Sequence, residues 1–178
     1  MRQRPKQIKA FTLIELLVVL VILGCLIGLA LPSTTNNHAR AVQGEAERLA
    51  ALIGVLSEEA ILDNREYGLQ LSEQNYRVLR YNERQALWQT VADHPLPAFA
   101  RLHLSLEGQS LKLAAEQQNA SHQAPADAAV SLVPQLLILS NGELSAFNLR
   151  IEERAADGAV FTLASNGFDL PQAEWATR

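Results

Sequence analysis

Two periods divide the chain. From Phe11 to Leu31 it reads FTLIELLVVLVILGCLIGLAL, broken by a single charge, Glu15. At a helical rise of ~1.5 Å per residue this run spans about 31 Å, close to the ~30 Å hydrocarbon core of a bilayer. It predicts a membrane-spanning helix over residues 11–32. After a polar patch at Ser33–Asn37, apolar residues recur at Val42, Ala46, Leu49, Ile53, Leu56 and Ala60. Gaps of four, three, four, three and four place them on one helical face, while Glu45, Arg48 and Glu59 lie elsewhere on the wheel. Residues 33–64 are therefore expected to form an amphipathic second half of the helix, regular from about Ala39 to about Asn64. Gly54 lowers helix propensity there without stopping the helix.

Beyond Asn64 the period changes to two. Tyr67–Leu71, Tyr76–Tyr81, Leu87–Val91, Leu102–Leu106, Gln135–Leu139, Ala146–Ile151 and Ala159–Leu163 are read as half-buried strands. Asn141-Gly142, Asp157-Gly158 and Asn166-Gly167 mark tight reversals, because such pairs accept positive φ cheaply. Residues 114–131 are rich in Ala, Gln and Asn, follow neither period and are expected to form a flexible loop. The fold class is thus α+β: a long N-terminal helix packed on a small β-sandwich head over residues 65–178.

Charge adds direction. Arg2, Arg4, Lys6 and Lys9 crowd the first ten residues with no acid among them. The positive-inside rule keeps such a flank in the cytoplasm and sends the chain after Leu31 across the membrane. The segment is like a secretory signal, yet Leu29-Ala30-Leu31-Pro32 is a poor small-x-small cleavage site, so the apolar run is expected to be retained. Without residues 1–10, 11 Lys and Arg face 19 Asp and Glu, and the net charge moves from −4 to −8. A body that acidic is poorly suited to polyanions, and no nucleic-acid partner is expected. The one cysteine, Cys25, lies within the apolar run, so the head must be held by its own core.

Glu15 is the odd residue. A carboxylate at the centre of a membrane helix costs ~2.5–3.5 kcal/mol and less near the interface, so it either sits among headgroups or has a function. Its surroundings favour a function, since Lys9-Ala10-Phe11-Thr12-Leu13-Ile14-Glu15-Leu16 resembles the prepilin signature. In that signature a short basic leader precedes a cut before Phe, and Glu is the fifth residue of the mature chain. The resemblance implies that a prepilin peptidase cuts between Ala10 and Phe11 and N-methylates Phe11. The family prefers Gly before the cut, where this chain has Ala10. The resemblance also implies that Glu15 pairs with the new amine of a neighbouring subunit. Pro32 falls where pilins commonly carry a helix-kinking proline, and proline removes a backbone donor. Gly24 and Gly28 form a small-xxx-small pair that allows close helix approach, although glycine is also simply common in membrane helices.

The order of head features narrows the resemblance. Gly68-Leu69, Tyr76, Tyr81 and Trp88, then Leu139-Ser-Asn-Gly-Glu143 with Phe147, are similar to the H-class minor pseudopilins of type II secretion systems and the minor pilins related to them. Members co-assemble with the major and other minor pseudopilins on an inner-membrane assembly platform. The implied topology is single-pass in the bacterial inner membrane, with a cytoplasmic N-terminus and a periplasmic head. The Asp-rich metal loop of major pseudopilins and the C-terminal cysteine pair of major pilins are both absent from the sequence.

Catalytic chemistry is not legible. His38, His94, His103 and His122 lack metal-ligand spacing, and His103 is expected to point out of a strand. No phosphate loop or hydrolase serine motif is present. Glu152 and Glu153 are adjacent, so in a strand they face opposite sides. Trp88 and Trp175 read as packing residues. No catalytic residue, metal site or cofactor is expected. Three readings remain: a type II minor pseudopilin in a short periplasmic filament that pushes folded proteins through an outer-membrane secretin; a minor pilin of a type IV pilus serving priming, adhesion or DNA uptake; and an anchored envelope enzyme. The tail Phe168–Arg178 has a single Arg, against the basic residues a DNA-binding pilin needs, and secretion is the favoured reading.

Overall fold

The computed structural model describes residues 13–30, 34–114 and 132–177, in two compact units, Met1–Asn37 and His38–Arg178. Two helices come first, α1 (Leu13–Ala30) and α2 (Thr34–Asp63). Residues 31–33, with Pro32 among them, lie outside the described residues, as do the leader 1–10 and residues 115–131 of the expected loop.

In the larger unit, α2 carries the stripe that the spacing predicts. Val42, Ala46, Leu49, Ile53, Leu56 and Ala60 are all buried. The helix stops where the chain turns left-handed at Asn64, with φ of 50°. The Arg65 N–H then donates to the Ala60 carbonyl at 3.0 Å, which satisfies one of the otherwise open carbonyls of the last turn.

Nine strands follow in two antiparallel sheets. The first sheet has the order β3 (Leu87–Pro95), β2 (Asn75–Asn82), β1 (Tyr67–Leu71), β6 (Leu136–Ile138). The second runs β5 (Gln109–Leu111), β4 (Ala100–Leu106), β7 (Phe147–Glu153), β8 (Val160–Ser165), β9 (Ala173–Trp175). Alternation puts the apolar positions of each sheet on one face. Leu69 lies opposite Val78 on one side and Leu136 on the other. Leu104 lies opposite Leu149, which lies opposite Leu163. These residues and the α2 stripe belong to one hydrophobic core.

All seven strands read from the alternation are present, and two more are added. β5 and β9 have three residues each, too short to display a period. β5 returns from β4 through Glu107 and Gly108, both at positive φ, as a two-residue hairpin requires. The glycine reading holds at Gly142 and Gly167, with φ of 87° and 105°. Gly158 departs from it. Its φ is not positive, and glycine is needed there because a Cβ would lie 2.6 Å from the Cβ of Glu153.

Ile53 is 1% exposed within this core. Ile53→Ala is expected to cost about 2–5 kcal/mol through lost burial and a residual cavity, read as a lower melting temperature of the head. An unchanged melting temperature would disprove the packing of α2.

Candidate functional site

In the smaller unit, α1 is apolar on every side, and the side chains from Leu13 to Cys25 are exposed in the isolated chain. A helix without a polar face is stable only where lipid or other helices cover it. Eighteen residues at ~1.5 Å each give a length of about 27 Å. Among the described residues no helix is long and apolar enough to cross a membrane. The twenty-one-residue run read as a span extends beyond α1, and Phe11, Thr12 and Leu31 lie outside the described residues.

Glu15 stands in the first turn of α1, where the helix dipole favours a negative charge. Gly24 lies in the same helix with nothing within 4 Å of the place its Cβ would occupy, so that side is open to close approach. Gly28 follows one turn later in α1. Ala10, Phe11 and Pro32 lie outside the described residues. One helix thus carries Glu15, Gly24 and Gly28.

In the head, polar contacts tie α2 to the sheets and one turn to the start of β1. His38 Nδ1 lies 3.1 Å from Glu153 Oε1, and the His38 ring stacks on Phe99 with centroids 4.1 Å apart. Arg48 lies 2.7 Å from His94 Nδ1, and the His94 ring meets that of Tyr76 at 5.1 Å. The Tyr67 hydroxyl donates to Glu59 at 2.7 Å. Ser140 donates to Glu66 from both its N–H and its hydroxyl, which fixes the turn at Asn141-Gly142 to the start of β1. None of these pairs has a local sequence signature; His38 and Glu153 are 115 residues apart.

The other expected head residues fall as follows. His103 points out of β4 and lies 2.8 Å from Glu152 on β7. Glu153, on the opposite face of that strand, is buried. Trp88 packs on Tyr81, and Trp175 is exposed with its ring edge against Phe161. Phe147 is buried in the core. His122 lies outside the described residues. Among the described residues no three His, Cys, Asp or Glu side chains are grouped to hold a metal ion. A cleft of about 500 Å³ at the end of α2 is lined by Arg65, Arg80 and Arg84 together with Asp63, Glu66 and Glu83. Its charges are balanced, and it contains no nucleophile beside a base.

An all-round apolar helix with one acid in its first turn, followed by a helix-backed antiparallel β head, defines a pilin-like protein. Residues 5–31 match the prokaryotic N-terminal methylation motif, and residues 45–167 match type II transport protein GspH. The chain is 51% identical over 173 residues to type II secretion system protein H of Pseudomonas aeruginosa, covering 96% of this chain and 98% of that one. The head fold is similar to the crystal structure of the minor pseudopilin EpsH from the type II secretion system of Vibrio cholerae. That match has a TM-score of 0.58 and 19% identity and covers 78% of this chain and 97% of the other. It is also similar to the solution structure of E. coli GspH, with a TM-score of 0.52, 18% identity, and coverage of 81% and 92%. The chain therefore belongs to the GspH family of type II transport proteins, and its N-terminal methylation segment makes it membrane-anchored.

Burial raises the ionisation of Tyr67 above its ordinary value of 10.0, and the hydrogen bond to Glu59 raises it further. Burial raises Tyr76 as well. The fold holds both phenols neutral, so their contribution is fully present below pH ~10 and is lost as pH rises through the raised values. Thermal unfolding from pH 8 to 11 should show that loss, and Tyr67→Phe should shrink it. The same variant should cost about 1 kcal/mol at neutral pH through the lost hydrogen bond.

Proposed function

We propose that this minor pseudopilin of type II secretion is matured by a prepilin peptidase, which cuts between Ala10 and Phe11 and methylates the Phe11 amine. The mature chain then co-assembles with major and other minor pseudopilins on the inner-membrane platform. It forms part of a short periplasmic filament that pushes folded proteins through the outer-membrane secretin. On this reading the protein works by packing and position and not by catalysis. It is single-pass, with residues 1–10 cytoplasmic and the head periplasmic.

The observation that supports this most is the uncovered apolar surface of α1 with Glu15 as its one charge. Extraction from the bilayer into a bundle of like helices keeps that surface out of water. A new amine at Phe11 is costly in such a low-dielectric bundle unless an opposite charge meets it, and Glu15 of a neighbour supplies one. Gly24 and Gly28 let the helices approach.

Mass spectrometry of membrane-extracted protein should find Phe11 as an N-methylated N-terminus. A chain that starts after Ala30, or keeps Met1 in cells with active peptidase, would overturn the processing. Glu15→Val should be inserted and cleaved normally yet fail to support secretion, with a loss of about tenfold or more. Normal filament incorporation and secretion by that variant would reduce Glu15 to an interfacial bystander.

A further inference from the structure

The loop between β8 and β9 is closely held for one that exposes an aromatic ring. The Phe168 and Asp169 N–H groups both donate to Asn166 Oδ1 at 3.0 Å. Asn166 Nδ2 donates to Asp169 Oδ2 at 2.8 Å, and the Ser165 hydroxyl donates to the Asp169 carbonyl at 2.8 Å. Gly167 takes the positive φ that the turn requires, and its carbonyl accepts from the Leu144 N–H at 2.8 Å. Pro171 is buried just beyond. At the tip of this braced loop Phe168 is 73% exposed. Phe168 also falls one residue past the stretch matched by the family.

The ring is not isolated. Leu170 is 48% exposed, and its Cδ1 lies 3.9 Å from where a Cβ on Gly54 of α2 would be. Ile61 of α2 is 53% exposed and stands in the same relation, at 3.5 Å, to Gly142. The Gly142 turn also contains Leu144, which binds the Phe168 loop, so α2, this turn and the loop adjoin. Three exposed acids stand around them, and the exposed Arg65 four residues past Ile61 is paired with Asp63 at 3.9 Å. Glu58 lies one helical turn from both Gly54 and Ile61, Glu143 follows Gly142, and Asp169 sits between Phe168 and Leu170. No ion pair engages these three among the described residues.

We propose that Phe168, with Leu170 and Ile61, is a preformed anchor that docks into an apolar pocket rimmed by Lys or Arg on the head of another pseudopilin. This rests on the functional reading above. A rigid aromatic loses little conformational entropy on binding, and hydrogen bonds already hold its loop. The acid rim selects the partner's sign. A second copy, with a net charge of −8 over residues 11–178, and an anionic membrane surface both repel it.

The test uses the purified full chain in detergent, with the purified heads of the other pseudopilins of its secretion system as probes, each titrated in turn. Phe168→Ser should weaken binding of at least one head by about tenfold or more with an unchanged melting temperature. Glu58→Lys and Glu143→Lys should weaken the same head mainly through a slower on-rate, and added salt should do so for the wild type. Wild-type affinity of Phe168→Ser and of both charge reversals for every head would overturn the anchor while leaving the pseudopilin reading intact. Phe168-dependent self-association, or Phe168-dependent binding to anionic vesicles, would assign the patch to another occupant and overturn the proposal. A wild-type chain that binds no head and cannot restore secretion to a deletion strain would overturn the functional reading and the proposal with it.

Discussion

Everything in the head depends on one helix face being kept out of water. Val42, Ala46, Leu49, Ile53, Leu56 and Ala60 share a core with residues of both sheets, and no covalent staple assists them. The one cysteine is Cys25, exposed in α1, so no disulfide can constrain the unfolded chain. Without that constraint the domain must bury enough apolar surface to offset its own conformational entropy. The stripe does this economically. Leu49, Ile53 and Leu56 supply most of its buried area, and Ala46 and Ala60 on either side of them are fully buried as well.

Burial alone does not set the helix's roll, since hydrophobic attraction has no direction. Direction comes from polar contacts at the margins of the stripe. His38 reaches Glu153 near the start of the larger unit, Arg48 reaches His94 midway, and Glu59 receives the Tyr67 hydroxyl near the end. Exposed pairs of this kind contribute little individually. Glu153 and Tyr67 are buried, however, so rotating the helix away from either would leave a polar group to be satisfied elsewhere. Apolar area decides whether α2 binds, and these contacts decide at what angle.

That division also explains what could be read beforehand. Periodicity is a local property, and it revealed the α2 stripe and every strand of more than three residues. It missed β5 and β9, three-residue strands in which a period of two cannot show; β6 is as short, and was legible only through the longer apolar run Gln135–Leu139 around it. The turn pairs were legible where glycine supplies positive φ, at Gly142 and Gly167. At Gly158 the requirement is the nearness of Glu153, a contact that only the folded chain creates. The candidate assembly residues were legible because an acid in an apolar run is conspicuous by chemistry alone. The pairing of His38 with Glu153 was not, since neither residue has a neighbour in sequence that hints at the other.

The two units solve opposite problems. An apolar helix such as α1 associates through packing and lipid exclusion, forces with little power to tell one apolar helix from another. A filament of several related subunits nonetheless requires each to take its own place. Discrimination therefore has to come from surfaces where a wrong partner costs free energy, through unmatched charge or a ring left in water. The head can supply both penalties. It is acidic overall, and it holds Phe168 outward on a loop braced by Asn166, Ser165 and Asp169. A ring that served only the fold would lower the free energy by turning inward, as Phe147 and Phe161 do. The loop's own hydrogen bonds keep Phe168 outward, and on the proposal above the partner head is what takes the ring out of water.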